Sequence, residues 1–220
     1  MIPYSKQSIN KKDILSVLSV LKSNYLTKGP KVNQFENAIT KMVNVKYAVA
    51  SNSGSSGLHL ACLALGVGEG DIVWTVPNTY AASANCAINC GAKVDFVDIC
   101  SDTFNISIKK LENKLILAKK RNKLPKVLIP VHLAGQPYEQ KKIWKLSKKY
   151  KFKIIEDASH ALGAKHYREK VGSCKWSDIA VFSFHPVKII TTAEGGVSVT
   201  NSKVYYEKMK SYRENGIIFD

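Results

Sequence analysis

The chain has 220 residues and 24.4 kDa, with 45% apolar and 23% charged residues, enough to bury a core and too apolar for a disordered segment. Its net charge of +16 raises nucleic-acid binding as a reading, but the lysines concentrate in 109–126 and 141–153, interleaved with Leu, Ile, Trp and Tyr at helical spacing. That is the pattern of solvated helix faces; zinc-finger spacing, an RNP motif, a basic-region zipper and any run near the ~20 apolar residues of a membrane span are all missing.

In chain order, helical periodicity over 11–22 and 31–42 is followed by a predicted strand over 47–51 and a helix over 55–65. A strand over 72–76, a helix over 81–89 and a strand over 93–98 come next, then a helix over 108–120 and a strand over 127–132. The remaining predicted elements are a helix over 138–150, strands over 153–156, 180–184 and 196–200, and a helix over 202–213. The valine and isoleucine runs are continuous, as expected of strands covered on both faces. Alternating strands and helices imply an α/β fold of three layers around a mostly parallel, seven-stranded sheet. The last strand returns after a short loop, so it is expected to be the one antiparallel member. No internal repeat or low-complexity linker divides the chain, and residues 1–220 read as one large domain.

The five cysteines are odd in number and irregularly spaced, with no CxxC pair. Cys86 and Cys90 share a helical face, but no second ligand pair follows them, so no metal site is predicted. Reduced cysteines used as small apolar residues, and an amino terminus without a signal-peptide pattern, predict a cytoplasmic protein.

Candidate chemistry begins with Lys188. It follows the apolar run Ile179 to Phe184 and the residues His185-Pro186-Val187, and it precedes Thr191-Thr192-Ala193-Glu194-Gly195-Gly196. A lysine at a strand end in apolar surroundings loses solvation of its charged form, so its pKa falls and its amine becomes nucleophilic. Asp157 stands at the end of another apolar run, in the segment Ile154-Ile155-Glu156-Asp157, where an unpaired charge costs several kcal/mol, on the order of ion-burial penalties. A lysine for an aldehyde and a carboxylate for a pyridinium nitrogen are the pairing that pyridoxal phosphate (PLP) requires. Asn52-Ser53-Gly54-Ser55 lies between a strand and a helix, where small residues and a helix amino terminus suit an anion; alone it would be an ordinary turn with a serine cap. Tyr80, just after a strand, reads either as a packing aromatic or as a ring stacked on a cofactor. His160 reads equally as a brace for a cofactor or as a core histidine, while His185 reads as structural.

At these residues the chain resembles the DegT/DnrJ/EryC1/StrS family of sugar-nucleotide aminotransferases, PLP enzymes of aspartate-aminotransferase fold. The likeness runs from the amino terminus to about Gly216 through Tyr25-Leu26-Thr27-Lys28-Gly29-Pro30, Asn52-Ser53-Gly54-Ser55, Val131-His132-Leu133-Ala134-Gly135-Gln136-Pro137, Ser159-His160-Ala161-Leu162-Gly163 and the Lys188 segment. Within the family the last two motifs look most like the pseudaminic-acid branch, which aminates C4 of a UDP-linked 4-keto-6-deoxy-N-acetyl hexose. The resemblance implies Lys188 as the catalytic residue, with Gly54, Ser55 and Ser183 at the cofactor phosphate and Tyr80, Asp157 and His160 around its ring. It also implies Tyr4, Asn24, Tyr25, Leu26 and Thr27 beside the sugar nucleotide, glutamate as amino donor and a homodimer. A sister branch that dehydrates its substrate carries histidine in place of the lysine, so Lys188 favours transamination.

Relatives continue past the position of Ile217 into a smaller carboxy-terminal domain, so the chain is expected to correspond to the large domain without it. As a second reading, such a chain would be a remnant or one half of a split enzyme, folded but weakly active, with faces exposed that relatives bury.

Overall fold

Asn10 starts the first helix. Its side chain accepts from the backbone N–H groups of Lys12 and Asp13, and the Asp13 carboxylate accepts from the Asn10 N–H, a reciprocal cap that opens α1 (Lys11–Leu21). The computed structural model describes residues 2–217. Pro30 occupies the first turn of α2 (Pro30–Val43), where its missing N–H is harmless, and Asn44 ends that helix in the left-handed conformation. Beyond it come β1 (Tyr47–Ser51), α3 (Gly54–Ala64), β2 (Ile72–Thr75), α4 (Ala82–Ile88), β3 (Lys93–Phe96), α5 (Ile108–Lys120), β4 (Val127–Leu128) and α6 (Gln140–Tyr150). The series continues with β5 (Lys153–Asp157), the short hairpin β6 (Lys165–His166) and β7 (Glu169–Lys170), β8 (Ile179–Ser183), β9 (Gly196–Thr200) and α7 (Lys203–Arg213).

Seven strands form one sheet in the order β1-β9-β8-β5-β4-β2-β3. Only β9 runs against its neighbours, pairing antiparallel with β1 and β8, while the other pairs are parallel. The sheet therefore has the composition expected from the sequence, with β9 as its antiparallel member.

Successive strand residues face opposite layers. Val73, Val127, Ile155, Ile179 and Val181 pack with Leu58, Ala61 and Cys62 of α3, Cys86 and Ala87 of α4, and Met209 of α7. Trp74, Leu128 and Ile154 face the other way, onto Leu111 and Leu115 of α5 and Ile143 and Leu146 of α6. At the β9 side, Phe182, Val197 and Val199 bury against Ile39 and Val43 of α2. Helices α5 and α6 carry their lysines outward, several over aromatic rings, as with Lys148 on Trp144 and Lys149 on Tyr150. Among the described residues no helix is long and apolar enough to cross a membrane, and no group of three or more His, Cys, Asp or Glu side chains is arranged for a metal ion.

Two details differ from the sequence reading. The strand expected over 127–132 is cut to Val127–Leu128, because Pro130 has no N–H to donate to a ladder. Its direction persists: Pro130 O accepts from Asp157 N and Asp157 O accepts from His132 N, both at 3.0 Å. The β6–β7 hairpin had no counterpart in the prediction, since two-residue strands are too short to show a period.

Candidate active site

The parallel strands β5 and β8 end at the same edge of the sheet, and the loops beyond the carboxyl ends of β1, β2 and β4 gather there as well. This is where open α/β sheets place ligands. A cavity of about 560 Å³ opens at that edge, lined by Tyr4, Gly54, Ser55, Thr79, Tyr80, Val131, Leu133, Asp157, Ser159, His160, Ser183 and Lys188 among others.

Lys188 enters the cavity from a loop tied down at its base. Phe184 N donates to Gly195 O at 2.9 Å, while Phe184 O accepts from Thr192 N at 3.0 Å and from the Thr191 hydroxyl at 2.9 Å. Lys188 N closes a turn onto His185 O at 2.9 Å. The Lys188 Nζ lies 2.7 Å from His160 Nε2. Burial lowers the Lys188 pKa from its ordinary value, opposed in part by the Asp157 charge, and burial followed by the lysine charge lowers that of His160. The pair is thus a lysine poised to lose its proton against a neutral imidazole that accepts from it.

Asp157 is buried, with 4% of its surface exposed, and no ion pair among the described residues involves it. Its Oδ2 accepts from the Ser83 hydroxyl at 2.6 Å; its Oδ1 accepts from the Ser159 hydroxyl at 2.7 Å and the Ser159 N–H at 3.2 Å. Three hydrogen bonds reach the carboxylate and none of them comes from a cation, so it lines the cavity as an acceptor without a direct ion-pair partner. Glu156 points to the opposite face of β5, where His132 Nε2 and Gln140 Nε2 meet its Oε2 at 3.1 and 3.0 Å. Strand alternation therefore decides which of the two adjacent carboxylates belongs to the site.

Opposite the lysine, α3 begins at Gly54 with Ser53 as its cap, the serine oxygen accepting from Ser56 N at 3.1 Å. The first N–H groups of the helix have no intrahelical acceptor and carry partial positive charge. Glycine is required at 54 for space: a Cβ there would sit 2.9 Å from Ser183 Cβ. Gly196 serves the same turn from β9, since a Cβ on it would lie 2.2 Å from Ser53 O.

The structure thus brings Lys188, Asp157, His160, Gly54, Ser55, Ser183, Tyr80 and Tyr4 to one cavity. Tyr80 stands at its mouth, largely exposed. Asn24, Tyr25 and Leu26 do not line it; Thr27 lines a second hollow with Lys28, Asn52, His59 and Arg213. The separation has a local cause. After α1 the chain turns on itself, Tyr25 N donating to Ser23 Oγ at 3.2 Å, and Gly29 presses so close that a Cβ would lie 2.6 Å from Tyr25 Cβ. Ser83, Ser159 and Thr79 escaped sequence reasoning. Ser159 lies within a quoted motif, but Ser83 meets Asp157 across 74 residues of chain, and no local pattern signals that.

The structural arrangement has close parallels. A UDP-4-amino-4,6-dideoxy-N-acetyl-beta-L-altrosamine transaminase of Campylobacter jejuni is 47% identical over 218 residues, which is 99% of this chain and 56% of that protein. Helicobacter pylori PseC, an aminotransferase involved in the biosynthesis of pseudoaminic acid, superposes with a TM-score of 0.89 at 34% identity, covering 99% of this chain and 57% of that one. Spr1654 of Streptococcus pneumoniae in its PLP form gives a TM-score of 0.85 at 31% identity, covering 96% and 57% respectively. The chain spans little more than half the length of the relatives it matches. Its residues 7–219 match the model of one family, and the chain belongs to it: the DegT/DnrJ/EryC1/StrS aminotransferase family.

Proposed function

We propose that this chain carries the cofactor site of a PLP-dependent aminotransferase acting on a UDP-linked 4-keto-6-deoxy-N-acetyl hexose, with glutamate as amino donor. The carrying observation is a lysine of lowered pKa facing a cavity that also holds a buried carboxylate without a cation. The fit to the cofactor rests on four features of the cavity. Its volume suits a ligand of that size, and the start of α3 offers free N–H groups for a phosphate. Gly54 leaves room for backbone approach, and Asp157 supplies the charge that a protonated ring nitrogen would neutralise.

When bound, PLP supplies an aldehyde and an electron-withdrawing ring. The protein residues supply the rest. Gly54 and Ser55 would bind the phosphate through backbone N–H groups, with the Ser183 hydroxyl alongside. Tyr80 would cover one face of the ring and exclude water. Asp157 would hold a proton on the ring nitrogen. Lys188 Nζ, neutral at lower pH than an ordinary lysine, would take the proton from the α-carbon of the amino donor and, in the second half of the exchange, deliver one to C4 of the keto sugar, which has no hydrogen of its own, with His160 Nε2 beside it to take up or release a proton. Tyr4 at the cavity rim would touch the sugar. The sugar assignment is supported by the name of the 47% identical relative, and a homodimer by the family resemblance.

Cofactor capture can be tested apart from the sugar. Incubation with PLP, borohydride reduction and peptide mapping should place the label at Lys188. A label spread over surface lysines with none enriched at 188 would remove the basis of the proposal. Amino transfer from glutamate to the UDP-4-keto sugar, assayed with this chain alone, then tests the substrate assignment.

A further inference from the structure

One chain of hydroxyls joins the buried carboxylate to the wall that carries Tyr80, and we infer that Ser83, with Thr79 behind it, is the positioning residue that fixes Asp157 toward the cofactor nitrogen. The inference rests on the cofactor reading above and adds residues to it. Ser83 is fully buried in the first turn of α4, and its hydroxyl lies 2.6 Å from Asp157 Oδ2 and 2.8 Å from Thr79 Oγ1. A carboxylate can only accept, so the single Ser83 proton goes to Asp157 and Thr79 must donate to Ser83. The relay therefore has one polarity, Thr79 to Ser83 to Asp157.

That polarity has two consequences. Ser159 sits two residues from Asp157 and grips only Oδ1. Ser83 comes from a different layer and grips Oδ2, so the carboxylate cannot rotate without breaking a short, charge-assisted bond. Three of the carboxylate's roughly four acceptor sites are then taken, which leaves one on Oδ2 for a further donor. With Ser83 and Ser159 both donating to it, the carboxylate is an acceptor toward a further donor as well, the role a protonated ring nitrogen would need. In addition, Ser83 N donates to Tyr80 O at 3.1 Å. One residue thus anchors both the carboxylate and the backbone of Tyr80 on the cavity wall.

The experiment compares wild type, Ser83→Ala, Thr79→Val, Asp157→Asn and the double variant Ser83→Ala/Asp157→Asn. It reads PLP affinity, the pH midpoint of the bound-cofactor absorption band, and the melting temperature without cofactor. Ser83→Ala should melt as a folded protein, bind PLP on the order of tenfold more weakly, as for loss of one hydrogen bond to a charged group, and shift the spectral midpoint. Thr79→Val should act in the same direction and less, and it stands in for Ser83→Ala should that variant fail to fold. In the Asp157→Asn background the serine change should add nothing, because its effect passes through the carboxylate. Unchanged affinity and midpoint in both Ser83→Ala and Thr79→Val, while Asp157→Asn weakens binding, overturns the inference and leaves the cofactor reading intact. An equal loss from Ser83→Ala in both backgrounds overturns it too, as a merely structural serine would behave so. A wild-type chain that captures no PLP at Lys188 overturns both.

Discussion

Two neighbours act on the Lys188 amine in opposite senses. Burial disfavours the ammonium and lowers its pKa from 10.5; the Asp157 carboxylate favours the ammonium and limits the fall. Peptide-resolved acylation across a pH series should therefore give Lys188 a lower midpoint than the exposed lysines of α5 and α6. Asp157→Asn removes the charge that favoured the ammonium, so the Lys188 midpoint should fall further and its reactivity at pH 8–9 should rise. A Lys188 midpoint equal to that of surface lysines would show that burial does not act on it. The sign for stability follows: the folded pKa lies below the unfolded one, so this group's contribution is present above about 10.5 and is lost as pH falls through the folded value. Asp157 and Lys188 stood out in the sequence because one ends an apolar strand and the other follows one within a few residues, and a charge in such surroundings demands a reason. The contact of His160 with the lysine did not, since it joins loops 28 residues apart and no local pattern signals it. Ser83 needed the packing of α4 against β5 to be seen at all.

At the level of elements, the site depends on a crossing of β9 beneath the start of α3. A Cβ on Gly196 would meet Ser53 O at 2.2 Å and Gly54 N at 2.6 Å, both backbone atoms that cannot step aside. Gly196→Ala should force the turn apart and destabilise the chain by about 1–3 kcal/mol, typical of overpacking, with loss of PLP capture. Gly68→Ala is the control, since a Cβ there meets nothing within 4 Å, and it should melt close to wild type. Thermal melts of the two variants decide it: equal melting temperatures would mean that the crossing tolerates a side chain. The elements themselves were read well from periodicity, because the strands are apolar on both faces and the covering helices carry regular stripes. The shortened β4 and the β6–β7 hairpin were missed for separate reasons, one a proline inside an apolar run and the other a length below any detectable period.

On the scale of the whole molecule, α1 departs from the pattern of the other helices. Ile14, Val17, Leu18 and Leu21 recur at helical spacing, which in sequence marks an inward face, yet all four are exposed and α1 buries none of its residues. Ile9 and Leu15, also exposed, enlarge the apolar surface. Patches of this kind drive association, whereas a net charge of +16 opposes it by self-repulsion. The two terms respond differently to salt: screening shortens the reach of the charge to about 8 Å at 0.15 M and leaves apolar burial in place. Association through α1 should therefore grow with chain concentration and with added salt. Val17→Glu/Leu21→Glu should suppress it without changing the melting temperature, because neither side chain contributes to the core. Sedimentation velocity of both chains at low and moderate salt makes the test. A wild-type chain that stays monomeric throughout would show that the stripe does not drive self-association; a pair variant that associates as before would place the contact on another face.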